Sequence, residues 1–342
     1  MGRSVPLENL LETFSSRPVA RAAETDLQPV MQALARNGWA NLPMPGQGRT
    51  LERWRALAKI AGCDLALVKL FEGHTDALAI LAELEPGQAS PSGCWGVWAA
   101  EPPFARVTIS DRQQDQVYLQ GRKAWCSGAA LLDGALVTAW DEQQRPQMVA
   151  VQLQQPAIRI SDEGWQAVGM GSSASLDVMF DGAVGRCIGA PGEYLSRPGF
   201  WQGGGGIAAC WYGAACGLAH YLREHCTKPH HDVHADVHLG AVEVALGAAA
   251  ASLRETANWI DCNPGQSAEI AVRRVRAQVE VAVHEVLAHV GRALGATPFC
   301  RNSHFARLAA DLPVFLRQSH AEKDLAALGE LIATQPSSGW LL

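Results

Sequence analysis

The chain has 342 residues, 48% of them hydrophobic and 18% charged, with a formal net charge of −6. That is enough apolar chain for two or three packed layers or small domains with their own cores. No Lys/Arg run exceeds two residues and no apolar run reaches about eighteen, which argues against a nucleic-acid footprint and against a membrane-spanning helix.

The N-terminal Met1-Gly-Arg-Ser-Val-Pro-Leu-Glu8 has no apolar core of the kind a secretory signal needs. Gly2 does not make a myristoylation signal, because Pro6 stands where that pattern requires a hydroxyl residue. The chain therefore reads as cytoplasmic. Its nine cysteines are scattered without a C-x-x-C pair and read as reduced, small apolar residues.

Residues 1–90 read as a helical domain. Leu27, Val30, Met31 and Leu34 share a helical stripe that Asn37-Gly38 stops. Thr50 is positioned to N-cap a helix with Glu52 in its first turn, and Leu51, Trp54, Leu57 and Ile60 form its apolar side. A further helix over Leu65 to Leu84 ends at Pro86-Gly87 and carries an unusual polar interruption, Phe71-Glu-Gly-His-Thr-Asp-Ala77. Over residues 91–192 the period changes to two. Val107 and Ile109, Val117 and Leu119, Leu136-Val137, Met148 to Val151, Ile158 and Ile160, and Leu176 to Phe180 read as short strands of a barrel or sandwich. Over residues 193–342 helical periodicity returns, with segments Ile207 to Glu224, Val233 to Asn258, a valine stripe from Val275 to Val290, and Ser303 to Ile332. The predicted class is α+β multidomain: helical domain, β domain, four-helix bundle.

Three segments say more. Trp98-Ala-Ala-Glu-Pro102 ends one strand, Leu119-Gln-Gly-Arg-Lys-Ala-Trp-Cys-Ser-Gly-Ala129 runs along another, and Gly169-Met-Gly-Ser-Ser-Ala-Ser-Leu-Asp-Val-Met-Phe-Asp181 leads into a third. The first two resemble the flavin-facing segments of acyl-CoA dehydrogenases, where a strand ends in Glu-Pro and another reads Leu-Asn-Gly-x-Lys-x-Trp-Ile-Thr-Asn-Ala. The third resembles the strand that follows that family's Leu-Gly-Met-Arg motif. Helices, strands, then helices is also the family's order, so the resemblance covers nearly all the chain.

The resemblance implies FAD as cofactor, with the Trp125 indole packed on the ring and the Ser127 hydroxyl at N5. Ala99 and Ala100 take the flavin-edge positions, Ala100 replacing a Thr. Ala105-Arg106-Val107 replaces a Gly-Ser-Asp, leaving Arg106 and the helical His74 as substrate-side candidates. A core histidine satisfied by a hydrogen bond is the other reading of His74. Arg292 replaces a Gln that contacts a partner subunit's cofactor, and a guanidinium there can pair with phosphate. The arginine loop that reaches the FAD diphosphate is replaced by Lys228-Pro-His-His-Asp-Val-His234.

The family's catalytic base is missing. Counting from Leu294-Gly-Ala-Thr-Pro-Phe299 puts Ser319 in its slot, and no carboxylate stands near Ile207, the alternative position. Removing the α-proton of a thioester needs a base that a serine alone does not supply. His320, with an ordinary pKa of about 6.5, and Glu322 remain as catalytic candidates. The other reading puts both on an exposed helix side near Asp324. His234 and His238, spaced i,i+4, have the spacing to share a metal. No Cys or Glu is placed to complete such a set, so the segment reads as a polar loop with Asp232 as N-cap and no metal is assigned. The Gly203 to Gly206 run lacks a phosphate-loop signature and reads as a flexible or close-packed entry into the bundle.

These residues support an FAD-dependent oxidoreductase acting on the CH–CH bond of an acyl-CoA, another acyl thioester or a related small molecule. The alternatives are a flavin-dependent monooxygenase-type enzyme on the same fold, where His320 suits a histidine beside the ring, and a non-catalytic acyl-CoA dehydrogenase-like protein. The resemblance also implies a homodimer or homotetramer.

Overall fold

A computed structural model describes residues 5–15, 27–113, 116–161, 164–335 and 340. Gly2 lies outside them. In chain order the helices are α1 (Leu7–Ser15), α2 (Leu27–Arg36), α3 (Thr50–Cys63) and α4 (Leu65–Leu84). Strands β1 (Trp95–Trp98), β2 (Val107–Gln113), β3 (Gln116–Cys126), β4 (Gly134–Trp140), β5 (Pro146–Gln152), β6 (Ile158–Ser161) and β7 (Leu176–Ile188) follow. Helices α5 (Glu193–Ser196), α6 (Pro198–Cys226), α7 (Val233–Cys262), α8 (Glu269–Leu294), α9 (Ala296–Arg301), α10 (Ser303–Leu316) and α11 (Glu322–Ala333) complete the chain. Two compact units divide these elements: residues 1–42 with 66–200, and residues 43–65 with 201–342.

In the first unit the sheet closes on itself. β4 pairs with β2 and β5, β5 with β7, β7 with β3, and β3 with β2, while β1 and β6 extend the ring from β4 and β7. Closure removes the exposed edges that an open sheet must otherwise protect. The period of two sorts side chains onto two faces, and along β4 both faces are buried from Gly134 to Ala139. Leu136, Met148 and Ile188 turn toward Ala77 and Ile80 of α4 and form one core with Trp95. Burying both faces of β4 explains why its run Ala-Leu-Val-Thr-Ala is apolar rather than alternating.

The second unit is helical. α8 buries Val272, Val275, Val279, Val283, Val286 and Val290, the stripe visible in the sequence, and packs along α7. α7 also holds a window of mean hydropathy 1.3, long and apolar enough to cross a membrane by composition alone, and leaves Val233, Val237 and Val244 exposed.

One local expectation changes and another is narrowed. Thr50 is the first residue of α3, not its cap. The carboxylate of Asp261, near the end of α7, accepts hydrogen bonds from Gly48 N (3.0 Å), Thr50 N (3.0 Å) and Thr50 Oγ1 (2.6 Å). A distant anion therefore satisfies the amides at the start of this helix, a task usually left to the local side chain. Of the two readings of the Gly203 to Gly206 run, the close-packed one holds, and the glycines lie inside α6, which starts at Pro198. A Cβ on Gly205 would lie 2.5 Å from the Trp54 ring, and one on Gly213 would lie 2.0 Å from the Ala58 carbonyl. Close approach of α3 outweighs the poor helix propensity of glycine.

Candidate functional site: the rim at the end of β3

Residues Glu101 and Lys123, twenty-two positions apart in the two motif segments, meet as an ion pair. The Lys123 side chain is 1% exposed. Its Nζ also donates to Thr138 O (2.9 Å) and Thr138 Oγ1 (2.7 Å). Thr138 Oγ1 and Trp140 Nε1 (3.1 Å) donate to Glu101 in turn. Burial pulls the Lys123 pKa below its ordinary value, and Glu101 offsets part of that shift. Burial alone would raise Glu101, but the donors around it hold its carboxyl below the usual range. The pair ties β3 to β4 and to the turn after β1. No reacting group has to be invoked for it.

That anchorage positions the next residue but one. Alternation along β3 would bury Trp125 on the side of Leu119 and Lys123. Instead the register shifts between Lys123 and Cys126, and Trp125 adopts φ 60°. A non-glycine residue in the left-handed region costs about 1–2 kcal/mol, and such strain concentrates at functional sites. The result is an indole 49% exposed, edge-on to Phe104 at 5.9 Å, with Phe104 itself 61% exposed. Beside them Arg122 pairs with the buried Asp177 (Nε to Oδ2 2.8 Å), and its guanidinium lies 5.9 Å from the Phe104 ring. Gly121 is required for a different reason. It has φ 121°, and a Cβ there would sit 2.2 Å from the Arg106 carbonyl.

Next to the platform runs a chain of three hydroxyls. Ser173 Oγ donates to the Met170 carbonyl (2.7 Å). Ser175 Oγ is 2.8 Å from Ser173 Oγ, and Ser127 Oγ is 2.8 Å from Ser175 Oγ. A carbonyl only accepts, and each hydroxyl has one proton. Ser175 must therefore donate to Ser173, and Ser127 to Ser175. The Ser127 oxygen keeps only lone pairs to offer and is set to receive an N–H. The Ser127 carbonyl, on the opposite side of the residue, is held by Trp98 Nε1 at 3.1 Å. Trp165 Nε1, on the loop before Met170, is buried with no hydrogen-bond partner among the described residues. An exposed aromatic pair beside an acceptor hydroxyl fits a planar heterocycle that offers an N–H, such as a flavin.

The other expected site residues stand as follows. Ala99 and Ala100 follow β1 on the same rim and are half-buried. Arg106 is exposed, stacks over the Trp140 ring at 4.3 Å and donates to Gln144 Oε1 (2.7 Å). His74 is 3% exposed, and its Nδ1 accepts from Trp95 N at 3.2 Å. Burial pulls its pKa down to about 4 against an opposing pull from Asp133, so it is a neutral acceptor pinning α4 to β1. In the second unit, the His320 side chain is 73% exposed and its backbone N–H donates to Asp324 Oδ2 (3.0 Å). Glu322 is exposed in the first turn of α11. Ser319, in the slot of the expected base, donates to Glu280 Oε2 at 2.5 Å, while Arg317 holds Oε1. Arg292 is exposed in the last turn of α8.

Sequence reasoning paired Trp125 with Ser127 but missed Phe104, Lys123, Ser173 and Ser175. Lys123 was visible as a motif match. The two serines lay within the third motif, in a stretch whose hydroxyl spacing was its only signal.

No protein-family model matches the sequence, and no curated protein sequence does. Solved structures match over nearly the whole chain. TdsC from Paenibacillus sp. A11-2, bound to FMN and indole, superposes with a TM-score of 0.77 at 18% identity over 94% of each chain. Methanesulfinate monooxygenase MsuC from Pseudomonas fluorescens gives 0.80 at 18% identity over 98% of each. KijD3 in complex with FMN and a dTDP-linked amino keto sugar gives 0.77 at 16% identity, covering 96% of this chain and 91% of its own. The chain shares the fold of these flavin-bound and monooxygenase structures. At such identities the likeness speaks for the fold alone.

Proposed function

We propose that the chain is a flavin-dependent oxidoreductase of the monooxygenase type, acting on a small organic substrate. The observation that carries this reading is the direction of the hydroxyl chain, which leaves Ser127 an acceptor. A reduced flavin presents an N–H at N5, whereas an oxidised one presents a lone pair there. Bound and reduced, the flavin supplies the two electrons with which one atom of dioxygen enters the substrate and the other leaves as water.

The protein's own part is positioning. Trp125 and Phe104 would supply the apolar surface that holds the ring, Ser127 would accept from its N5 edge, and the Glu101–Lys123 pair anchors the strand that carries Trp125 and Ser127. Thioester dehydrogenation draws less support, because the slot of the expected base holds Ser319, whose hydroxyl proton goes to Glu280. FMN is favoured over FAD. The connector Lys228 to Asp232 stands where a diphosphate-binding arginine loop was expected, and two of the structural neighbours hold FMN. A homo-oligomer is proposed as well, formed through the exposed valines of α7.

The test is titration of the purified chain with FMN and FAD, oxidised and photoreduced, followed by dioxygen consumption over a panel of small aromatic and sulfur compounds. Reduced FMN should bind more tightly than oxidised FMN. Ser127→Ala should narrow that gap, and Trp125→Ala should weaken binding of both forms about 10-fold, the equivalent of about 1.4 kcal/mol. Failure to bind either flavin would sink the proposal. Anaerobic bleaching of bound flavin by an acyl-CoA would replace it with thioester dehydrogenation.

A further inference from the structure

The connector between α6 and α7 gathers three different metal-ligating groups. Cys226 closes the last turn of α6, His231 stands in the connector, and Asp236 lies in the first turn of α7. Their ligand atoms all lie within 4.8 Å of one another. The spacing, C-x4-H-x4-D, brings a thiol, an imidazole and a carboxylate together from the two sides of a reversal in the chain. It is independent of the flavin reading.

The orientation of His231 is the informative detail. Its Nδ1 lies 3.0 Å from the Lys228 carbonyl, which can only accept, so Nδ1 carries the proton. Nε2 then turns its lone pair toward Asp236 Oδ1 and Oδ2, at 2.9 and 3.0 Å. In a neutral ring this sets an acceptor against two acceptors, a conflict that a second proton or a cation relieves, and the Cys226 sulfur lies within the same 4.8 Å cluster. A cation among the three atoms turns each of these lone pairs into an attraction. A metal-bound histidine whose other nitrogen donates to a backbone carbonyl is the usual supporting arrangement for such sites.

We propose that Cys226, His231 and Asp236 bind a zinc-class divalent cation. Sulfur and nitrogen ligands select a borderline metal over magnesium or calcium. Asp236 is exposed while Cys226 and His231 are half-buried, so the fourth position opens to water. Binding displaces the thiol proton of Cys226 to solvent and leaves a thiolate on the metal. The bound ion fastens the end of α6 to the start of α7 across residues 227–232. His234 and His238, whose i,i+4 spacing reads as a polar loop with no metal assigned, do not take part in it. His234 is exposed, and His238 instead pairs with His289 (Nδ1 to Nδ1 2.8 Å).

Cobalt tests the site in the reduced, tag-free full chain. Co2+ should produce a sulfur-to-cobalt charge-transfer band and tetrahedral visible absorption, both displaced by stoichiometric Zn2+. Zn2+ should raise the melting temperature. Cys226→Ser should abolish the charge-transfer band, Asp236→Asn should weaken Co2+ binding at least 10-fold, and His234→Ala should leave the spectrum unchanged. The competing arrangement is a doubly protonated His231 simply paired with Asp236, and it yields no such band. Absence of the band in the parent protein, its survival in Cys226→Ser, or unchanged Co2+ affinity in a folded Asp236→Asn protein would overturn the assignment.

Discussion

Lys123 shows how a residue in a segment that resembles a flavin-facing motif can serve the fold itself. Its ammonium is buried and satisfied by Glu101 and Thr138. Lys123→Met should leave the Glu101 carboxylate without its cation and cost about 3 kcal/mol, at the low end for a broken buried pair because Glu101 is partly solvated. Urea denaturation measures this directly, and a loss under 1 kcal/mol would remove its role as an anchor. His74 makes a pH-dependent contribution. Its pKa is depressed to about 4 when folded, against about 6.5 when unfolded, so the unfolded chain takes up the proton first. The stability due to neutral His74 is complete above about pH 6.5 and declines as pH falls toward 4, by about 3 kcal/mol at most. His74→Gln retains an acceptor for Trp95 N and cannot titrate. Its unfolding midpoint should fall less than that of the parent between pH 7 and pH 4.5, and parallel profiles would refute the assignment.

Among the elements, the sequence revealed most where one strand or helix explains itself. The valine stripe of α8, the limits of α4 and the alternation of the strands all follow from periodicity. Features that depend on a partner were hidden. The left-handed turn at Trp125 exists because β3 slips its register against β7, and Asp261 caps α3 from the far end of another helix. The Phe71 to Ala77 interruption was legible as a polar intrusion, but its partner, the amide of Trp95, was not. Ser127 could be named from the resemblance, yet its role as an acceptor emerges only once Ser173 and Ser175 are seen beside it. Cys226 escaped the metal reading because it belongs to a different helix from the histidines. Gly121 is the point where an element-scale requirement can be read as a mutation. Gly121→Ala should drive a methyl into the Arg106 carbonyl, force β2 from β3 and cost about 2 kcal/mol or more. A melting temperature unchanged by that substitution would show that the strands have slack there.

For the molecule as a whole, α7 offers the clearest prediction. Its Val233, Val237 and Val244 side chains are 68%, 66% and 75% exposed, an apolar row that a second copy of the chain can cover. Val237→Asp with Val244→Asp should shift the protein to monomer in light scattering. A parent that is already monomeric at micromolar concentration would refute the oligomer. The division into compact units has a consequence for biogenesis. Residues 43–65 complete their unit only with residues 201–342. As the chain leaves the ribosome, the newly made α3 carries Trp54, Leu57 and Ile60 before the segment that completes their unit, residues 201–342, has emerged. A shielding chaperone suits that interval, and expression of either end alone should give insoluble product.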